Sequence, residues 1–337
     1  MLKVVIVGYG EMFTNLIAGT LDSGCEIVGV LRKDTTKYHP VWRKIRDIVN
    51  PSIEYSYIKS YSLPEIEARG VNTKEFKRAL LKLNPDIILI GSWGEKISKE
   101  IFDLPKIATI NAHPSLLPKY RGPNPYFWTI RNMEQTSGVT FHLVDKGIDT
   151  GAILAQEEVK IFPSDTGKSL KERTVLVARG VVCELLKALR EDIIIPLTQR
   201  EDKASYYSHP SDLELDFKKS AEANDALIRA IHPWGEAYFY HGTTCFAVTS
   251  YNTEIEDNKS EFTETGIVVD FDYKNRTISV LCGDNKILKI HVGLYKKYDR
   301  RKTVSADFCI FCSGAVQYAV PAALQYHRYD RGWQRNR

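Results

Sequence analysis

Short apolar runs alternate with helix-like stretches in the first half of the chain. The runs KVVIVG, EIVGVL, DIILIG and IATI lack polar alternation, which is typical of strands buried on both faces. Between them, EMFTNLIAGTLDSG and TKEFKRALLKLNP show helical spacing, and GVTFHLV adds a further strand candidate. A long helix over KSLKERTVLVARGVVCELLKAL follows, with one stripe formed by Leu170, Val177, Val181 and Leu185. This alternation predicts an α/β fold built on a Rossmann-like, mostly parallel sheet.

The pattern changes after about Ile195. Residues 198–216 are polar and rich in turn-forming residues, which predicts a linker, and SAEANDALIRAIH predicts a short helix. Five short strand candidates then follow, EAYFYH, CFAVTSY, GIVVDF, TISVLC and KILKIHV, and they predict a small OB-like β-barrel. We therefore predict a catalytic domain over 1–197, a linker with an OB-like carboxyl-terminal domain over 198–306, and a tail over 307–337 with no assigned role.

Composition narrows the class of protein. The 337 residues suggest two domains, and a hydrophobic content of 43% supports a sizeable core. The net charge of +4 is too mild to mark a nucleic-acid binder, and no apolar run is long enough to cross a bilayer. Cys309 and Cys312 in the tail lack a second pair of ligands, so no metal site is predicted. The remaining cysteines lie in apolar surroundings typical of reduced thiols, and we expect a cytoplasmic enzyme.

Two features near the amino terminus could contact a nucleotide. The turn Gly8-Tyr9-Gly10 resembles the start of a dinucleotide fingerprint, but Phe13 replaces its third glycine and no acidic residue ends the next strand. We interpret these glycines as serving the turn geometry alone. The segment from Arg32 to Arg46 is basic with interleaved aromatics. It would suit phosphate contacts, but a solvated surface with Trp42 packed inward is favoured.

The candidate chemistry lies between Ile110 and Leu154. Asn111 and His113 end one apolar run and are two residues apart, so their side chains leave an extended chain on the same side. Asp149 lies in the loop after the next run, GVTFHLV, and strand ends of an α/β sheet are where ligands bind. An amide donor, an imidazole and a carboxylate suit direct acyl transfer to an external amine. Ser115 is the nearest nucleophile to consider, and a purely structural His113 is the alternative.

The motifs NAHPSLLPKYRGPNP and GVTFHLVDKGIDTG closely resemble the formyltransferase family that uses 10-formyltetrahydrofolate, and the resemblance covers residues 1 to about 300. It implies a catalytic trio of Asn111, His113 and Asp149. It also implies that 10-formyltetrahydrofolate is the co-substrate. The loops Trp93 to Ile97 and Val144 to Asp149 would hold its pterin, with predicted contacts from Trp93, Ile97, Val144 and Gly147. Trp93 could equally cap the core.

The identity of the acceptor amine is less sharply defined. The resemblance allows a nucleotide-linked amino sugar, initiator Met-tRNA, or water in a formyltetrahydrofolate hydrolase. The run from Gly122 to Trp128 favours the amino sugar, and the predicted acceptor contacts are Tyr120, Arg121, Asn124 and Tyr126. Asn124 and Pro125 are also predicted to begin the helix PYFWTIRNME. No membrane partner is expected, and a homodimer is left open.

Overall fold

The computed structural model describes residues 1–33 and 40–294, except for the side chains of 40–44 and 294. Its first sheet has six strands in the order β2-β1-β3-β4-β5-β6. They are β1 (Lys3–Gly8), β2 (Glu26–Arg32), β3 (Ile87–Gly91), β4 (Ala108–His113), β5 (Thr136–Leu143) and β6 (Ile153–Lys160). Strands β1 to β4 pair in parallel, whereas β5 and β6 are antiparallel additions. The predicted α/β class with a parallel-rich sheet is confirmed.

Helices cover both faces of this sheet. They are α1 (Gly10–Asp22), α2 (Pro40–Val49), α3 (Ile53–Ser60), α4 (Lys74–Leu83), α5 (Lys99–Phe102), α6 (Pro125–Arg131) and α7 (Gly167–Arg190). Alternate residues of β1 enter two different cores, because successive strand side chains point to opposite faces. Ile6 packs with α1 and α7 in one core, and Val7 packs with α4 in the other. The long apolar runs of the sequence therefore reflect strands buried from both sides.

The carboxyl-terminal part forms a second, antiparallel sheet. Helix α8 (Ala221–Ile231) precedes β7 (Tyr238–His241), β8 (Thr244–Val248), β9 (Glu254–Asp257), β10 (Val268–Asp272), β11 (Thr277–Leu281) and β12 (Lys286–Leu294). The strand order is β10-β11-β12-β8-β7, with β9 paired to β12. Its core includes Ile290 of β12, and it continues into α6 through Phe127 and into α8 through Leu227. The described strands support an antiparallel sheet here, and its closure into an OB-like barrel stays a prediction, as do the three domain boundaries.

The direction of β5 differs from what the sequence suggested. We expected GVTFHLV to end beside the carboxyl end of IATI, but β5 runs antiparallel to β4, with Asn111 opposite His142 and His113 opposite Thr140. The physical reason lies in the connection between the strands. The chain after β4 stays beside the carboxyl end of that strand, where the Tyr120 carbonyl binds His113, and α6 then spans only about 10 Å. The chain therefore re-enters the sheet at this same end, and β5 runs back antiparallel to β4.

Several elements were not predicted from the sequence. The strands β6 and β9 are polar and largely exposed, so they lack the apolar pattern that marks the inner strands. Helices α2, α3 and α5 were also missed. The tail with Cys309 and Cys312 lies outside the described residues. Within the described ranges, no helix is both long and apolar enough to span a membrane.

Candidate active site

Asn111 and His113 lie at the end of β4, on the face where β5 presents His142. The Asn111 Nδ2 lies 3.1 Å from the His142 Nε2, and the two imidazoles of His113 and His142 meet edge to face. His113 is 5% exposed and His142 is 3% exposed. The expected placement of Asn111 and His113 on one side of an extended segment is therefore what the structure has. His142 was missed, although a histidine inside the apolar run GVTFHLV was a visible signal.

Asp149 completes the cluster from the loop between β5 and β6. Its Oδ2 accepts the Gly122 N–H at 2.8 Å and lies 3.5 Å from the His113 Nδ1. Its Oδ1 lies 3.5 Å from the Asn111 Nδ2 and 3.5 Å from the His142 Nε2. Asp149 itself has a φ of 55°, a left-handed conformation that a residue other than glycine seldom adopts. A constrained backbone therefore points this carboxylate at both imidazoles.

The cluster holds a charged carboxylate beside a neutral imidazole. Burial alone would raise the pKa of the Asp149 carboxyl, but the two imidazoles and the Gly122 N–H lower it well below its ordinary value. Burial lowers the pKa of His113 below 6.5, although the Asp149 charge and the Tyr120 carbonyl act in the opposite direction. At neutral pH the site therefore contains ionised Asp149 and neutral His113, a pair that can accept a proton.

Hydrogen bonds assign the tautomers of both histidines. The His113 Nε2 lies 2.8 Å from the Tyr120 carbonyl and must donate to it, which leaves Nδ1 as a lone pair facing Asp149. The His142 Nδ1 likewise donates to the Leu143 carbonyl at 2.8 Å, so its Nε2 accepts from the Asn111 amide. The second amide hydrogen of Asn111 points to the Asp149 carboxylate across 3.5 Å. This contact is long for a hydrogen bond, so the same N–H is available to donate to an oxyanion in the cavity.

A cavity of about 540 Å³ opens on this cluster. Asn111, His113, Asp149 and His142 line it. The predicted donor contacts Trp93, Ile97, Val144 and Gly147 also line it, as do Asn124 and Tyr126 from the predicted acceptor set. A cavity of this size accommodates a small organic ligand. The two predicted donor loops therefore line the same cavity as Asn111, His113 and Asp149.

Comparison with known proteins shows the family of the chain that carries this cluster. The pattern described as "Formyl transferase" matches residues 2–186, and the pattern "Formyl transferase, C-terminal domain" matches residues 208–304. The chain belongs to the formyl transferase family. The family predicted from the NAHPSLLP and DTG motifs is therefore confirmed, as is the prediction of a formyltransferase enzyme.

The relatives of this formyltransferase include proteins named for two acceptors. Methionyl-tRNA formyltransferase of Clostridioides difficile is 29% identical over 85% of this chain and 90% of its own length. That of Caldanaerobacter subterraneus is 31% identical over 72% and 78%. Among solved structures, the N-formyltransferase from Helicobacter canadensis, in complex with folinic acid and dTDP-3-aminofucose, has a TM-score of 0.62 at 19% identity over 87% of this chain and 100% of that one. This structural likeness shows the fold alone.

Two predicted acceptor contacts of the formyltransferase have other partners. The Tyr120 carbonyl binds His113, its hydroxyl donates to Glu134 at 2.7 Å, and its ring stacks on Tyr207. The Arg121 guanidinium is buried and donates to Gln199 and Glu201. Both residues lie outside the lining of the cavity. They therefore hold the loop around the site, and a direct acceptor contact would require them to leave these partners.

Asn124 and Ser115 also differ in detail from the sequence interpretation. Asn124 does precede α6, but its φ is 62° and its side chain makes no cap hydrogen bond. The Asn124 Nδ2 instead lies 3.0 Å from the His209 Nδ1. Ser115 is fully buried, and its hydroxyl donates to the Lys119 carbonyl at 2.8 Å. Because this buried hydroxyl donates its proton to a backbone carbonyl, the structure does not support Ser115 as a nucleophile.

The predicted linker forms part of the site scaffold. We call residues 199–209 the strap. The Ser205 hydroxyl accepts the Tyr120 N–H at 2.9 Å, and the Ser205 carbonyl accepts the Arg121 N–H at 2.9 Å. The strap contributes Tyr206, Ser208 and His209 to the cavity wall. A segment that looked like a polar connector therefore contacts the loop carrying the SLLPKYRG motif.

The glycine turn and the start of the basic segment near the amino terminus both contact other residues of the protein. Gly10 has a φ of 67°, in accord with the interpretation of a turn, and its N–H donates to the Glu54 carboxylate at 2.6 Å. Arg32 is buried and forms ion pairs with Asp47 and Glu65. The first cation of the predicted basic segment therefore serves the core. Residues 34–39 and the side chains of 40–44, including Trp42, fall outside what the structure describes.

Proposed function

We propose that this protein transfers a formyl group from 10-formyltetrahydrofolate to the primary amine of a nucleotide-linked amino sugar. One observation carries the proposal. Ionised Asp149, neutral His113 and the Asn111 amide meet at a cavity, where the Asp149 carboxylate lies 3.5 Å from the His113 Nδ1 and 3.5 Å from the Asn111 Nδ2. Family membership supplies the reaction class.

The reaction follows from these side chains. The lone pair of the neutral amine attacks the formyl carbon, and the carbonyl electrons move onto oxygen. Asn111 donates a hydrogen bond to this oxyanion. The attacking nitrogen, now positively charged, gives a proton to the His113 Nδ1, and Asp149 stabilises the imidazolium. The oxyanion reforms the carbonyl, the bond from carbon to N10 of the folate breaks, and the proton passes to N10. The products are a formamide and tetrahydrofolate.

The donor fits the loops that line the cavity. Trp93 and Ile97 come from one loop, and Val144 and Gly147 come from the other. Apolar walls with nearby backbone groups suit a flat heterocycle such as a pterin. The Helicobacter canadensis structure named with folinic acid supports the same ligand class for the family. We propose these four residues as donor contacts.

Net charge gives little support to a tRNA acceptor. Residues 208–304, the matched carboxyl-terminal domain, carry fifteen acidic and thirteen basic side chains. Phosphates of a bound tRNA require an excess of neutralising cations, which this nearly even balance does not supply. Asn124 and Tyr126 line the cavity, together with Lys171, His209 and Trp234. We propose that this group contacts the acceptor, while Tyr120 and Arg121 act by supporting the loop.

Methionyl-tRNA is the second candidate acceptor. The observation in its favour is that methionyl-tRNA formyltransferases are about 30% identical to this chain across most of both lengths. Hydrolysis of the formyl folate would use the same trio with water as acceptor. A homodimer remains a prediction.

The test is an acceptor panel with release of tetrahydrofolate as the signal. The purified protein receives 10-formyltetrahydrofolate with dTDP- or UDP-linked amino sugars, with Met-tRNA, or with no acceptor. We expect rapid release only with an amino sugar. Release with Met-tRNA alone, weakening steeply with salt, would assign the second candidate. Equal release without any acceptor would assign a hydrolase.

A further inference from the structure

We propose that Gln199 is a positioning residue that fixes the backbone of Asp149 for formyl transfer, an inference that rests on the proposed function. Gln199 lies in the strap, fifty residues from Asp149, and is 6% exposed. It does not line the cavity. Its effect on the reaction must therefore pass through other residues.

The Gln199 amide is saturated with hydrogen bonds to the site. Its Nε2 donates to the Asp149 carbonyl at 2.8 Å and to the Gly151 carbonyl at 2.7 Å. Its Oε1 accepts from the Arg121 Nε at 3.1 Å and from the Arg121 Nη2 at 2.8 Å. Both amide hydrogens and the carbonyl oxygen are thus used. An apolar side chain of the same size would leave two buried carbonyls unpaired.

The hydrogen bonds of Gln199 hold the backbone of Asp149, which has a strained conformation. Asp149 has a φ of 55°, and such conformations persist when surrounding contacts hold them. Gln199 holds the carbonyl of Asp149 itself and that of Gly151, two residues on. The peptide groups on the carboxyl side of the catalytic aspartate are therefore fixed by one side chain from the strap.

The same network reaches the other side of Asp149. Arg121, which donates to Gln199, is followed by Gly122, whose N–H donates to the Asp149 Oδ2 at 2.8 Å. A closed circuit thus runs from the Asp149 carbonyl through Gln199 and Arg121 to Gly122 and back to the Asp149 carboxylate. Loss of the Gln199 amide opens this circuit and frees the carboxylate to move relative to His113. A misplacement of about 1 Å can cost about a hundredfold in rate.

The kinetic test compares Gln199→Met with a matched control, Asn224→Leu. Asn224 is 2% exposed, donates to the Asp216 and Ser220 carbonyls at 3.0 Å each and accepts the Asp216 N–H at 3.1 Å. It therefore makes bonds of the same kind but does not line the cavity. We expect Gln199→Met to lower kcat about a hundredfold with little change in KM for the formyl donor. Asn224→Leu should lower the melting temperature and leave kcat unchanged.

A second variant separates the two halves of the amide. Gln199→Glu keeps acceptors for Arg121 but loses both donors to the loop carbonyls. We expect its kcat to fall as in Gln199→Met. A kcat of Gln199→Glu or Gln199→Met equal to that of the wild type would overturn the proposal, as would an equal fall in the Asn224→Leu control.

Hydrogen exchange keeps this inference separate from the proposed function. If the wild-type protein transfers formyl to no amine, the proposed function fails, and exchange still reports on the loop. We expect amides of residues 144–152 to exchange faster in Gln199→Met than in the wild type or in Asn224→Leu. Unchanged exchange in that segment would overturn the assignment of Gln199.

Discussion

The Asp149→Asn substitution tests the electrostatic part of the mechanism. It keeps the shape of the side chain and an oxygen that can accept the Gly122 N–H, which now binds the Asp149 Oδ2 at 2.8 Å. It removes the charge that faces the His113 Nδ1. The imidazolium formed when the amine proton is transferred then loses its counter-charge.

The distance sets the size of the expected effect. Unit charges 3.5 Å apart interact by about 4–5 kcal/mol at an effective dielectric constant of about 20. This energy corresponds to about a thousandfold in rate. It lies within the range of about 10² to 10⁴ for acid–base catalysis. We therefore expect kcat to fall by about three orders of magnitude, with a smaller change in KM for the donor.

The assay follows tetrahydrofolate release under saturating donor and acceptor. The control is Asp165→Asn, because Asp165 is also buried, forms an ion pair with Arg173 and has a lowered pKa despite its burial, but lies outside the cavity lining. Both variants should remain folded by circular dichroism and be destabilised by about 1–3 kcal/mol. A folded Asp149→Asn variant within tenfold of the wild-type kcat would refute the charge argument.

Three further predictions address the geometry around the trio. The imidazole of His113 should titrate in a nuclear magnetic resonance experiment with a midpoint below 6.5, because burial lowers its pKa. The stability that neutral His113 contributes to the fold is present above about pH 6.5 and declines as the pH falls below that value. A measured midpoint above 6.5 would contradict this. Gly122→Ala should lower the free energy of unfolding in urea by about 1–3 kcal/mol, because φ is 93° and the new Cβ would lie 2.3 Å from the Tyr207 carbonyl oxygen. In the control Gly180→Ala, in α7, the new Cβ contacts no atom, and the free energy of unfolding should rise by about 0.5–1 kcal/mol. His142→Leu should lower kcat by about tenfold to a hundredfold, because the amide that donates to it loses its acceptor; an unchanged kcat would show that this imidazole does not orient the site.

The sequence could predict the elements whose pattern is local. The strands β1 and β3 are apolar runs buried on both faces, β4 begins with such a run, and α7 shows a helical stripe. The spacing of Asn111 and His113 also placed both on one face. These inferences succeed because strand alternation and helix periodicity are properties of neighbouring residues.

Features that depend on distant partners could not be predicted. The direction of β5 depends on how α6 turns the chain, and only its antiparallel pairing brings His142 opposite Asn111. Arg121 looked like an acceptor contact because a buried partner in the strap, seventy-eight residues away, cannot be inferred from its surroundings in the sequence. The strap itself is polar and was taken as a linker, since its bonds to the site loop leave no periodic pattern.

The most direct test of formyl transfer to an amino sugar is a competition in one reaction. The protein is supplied with 10-formyltetrahydrofolate, a mixture of dTDP- and UDP-linked amino sugars, and Met-tRNA, and products are read by mass spectrometry. The proposed function predicts that an amino sugar gains one formyl group while Met-tRNA stays unmodified. Formylated Met-tRNA with unmodified sugars would contradict it.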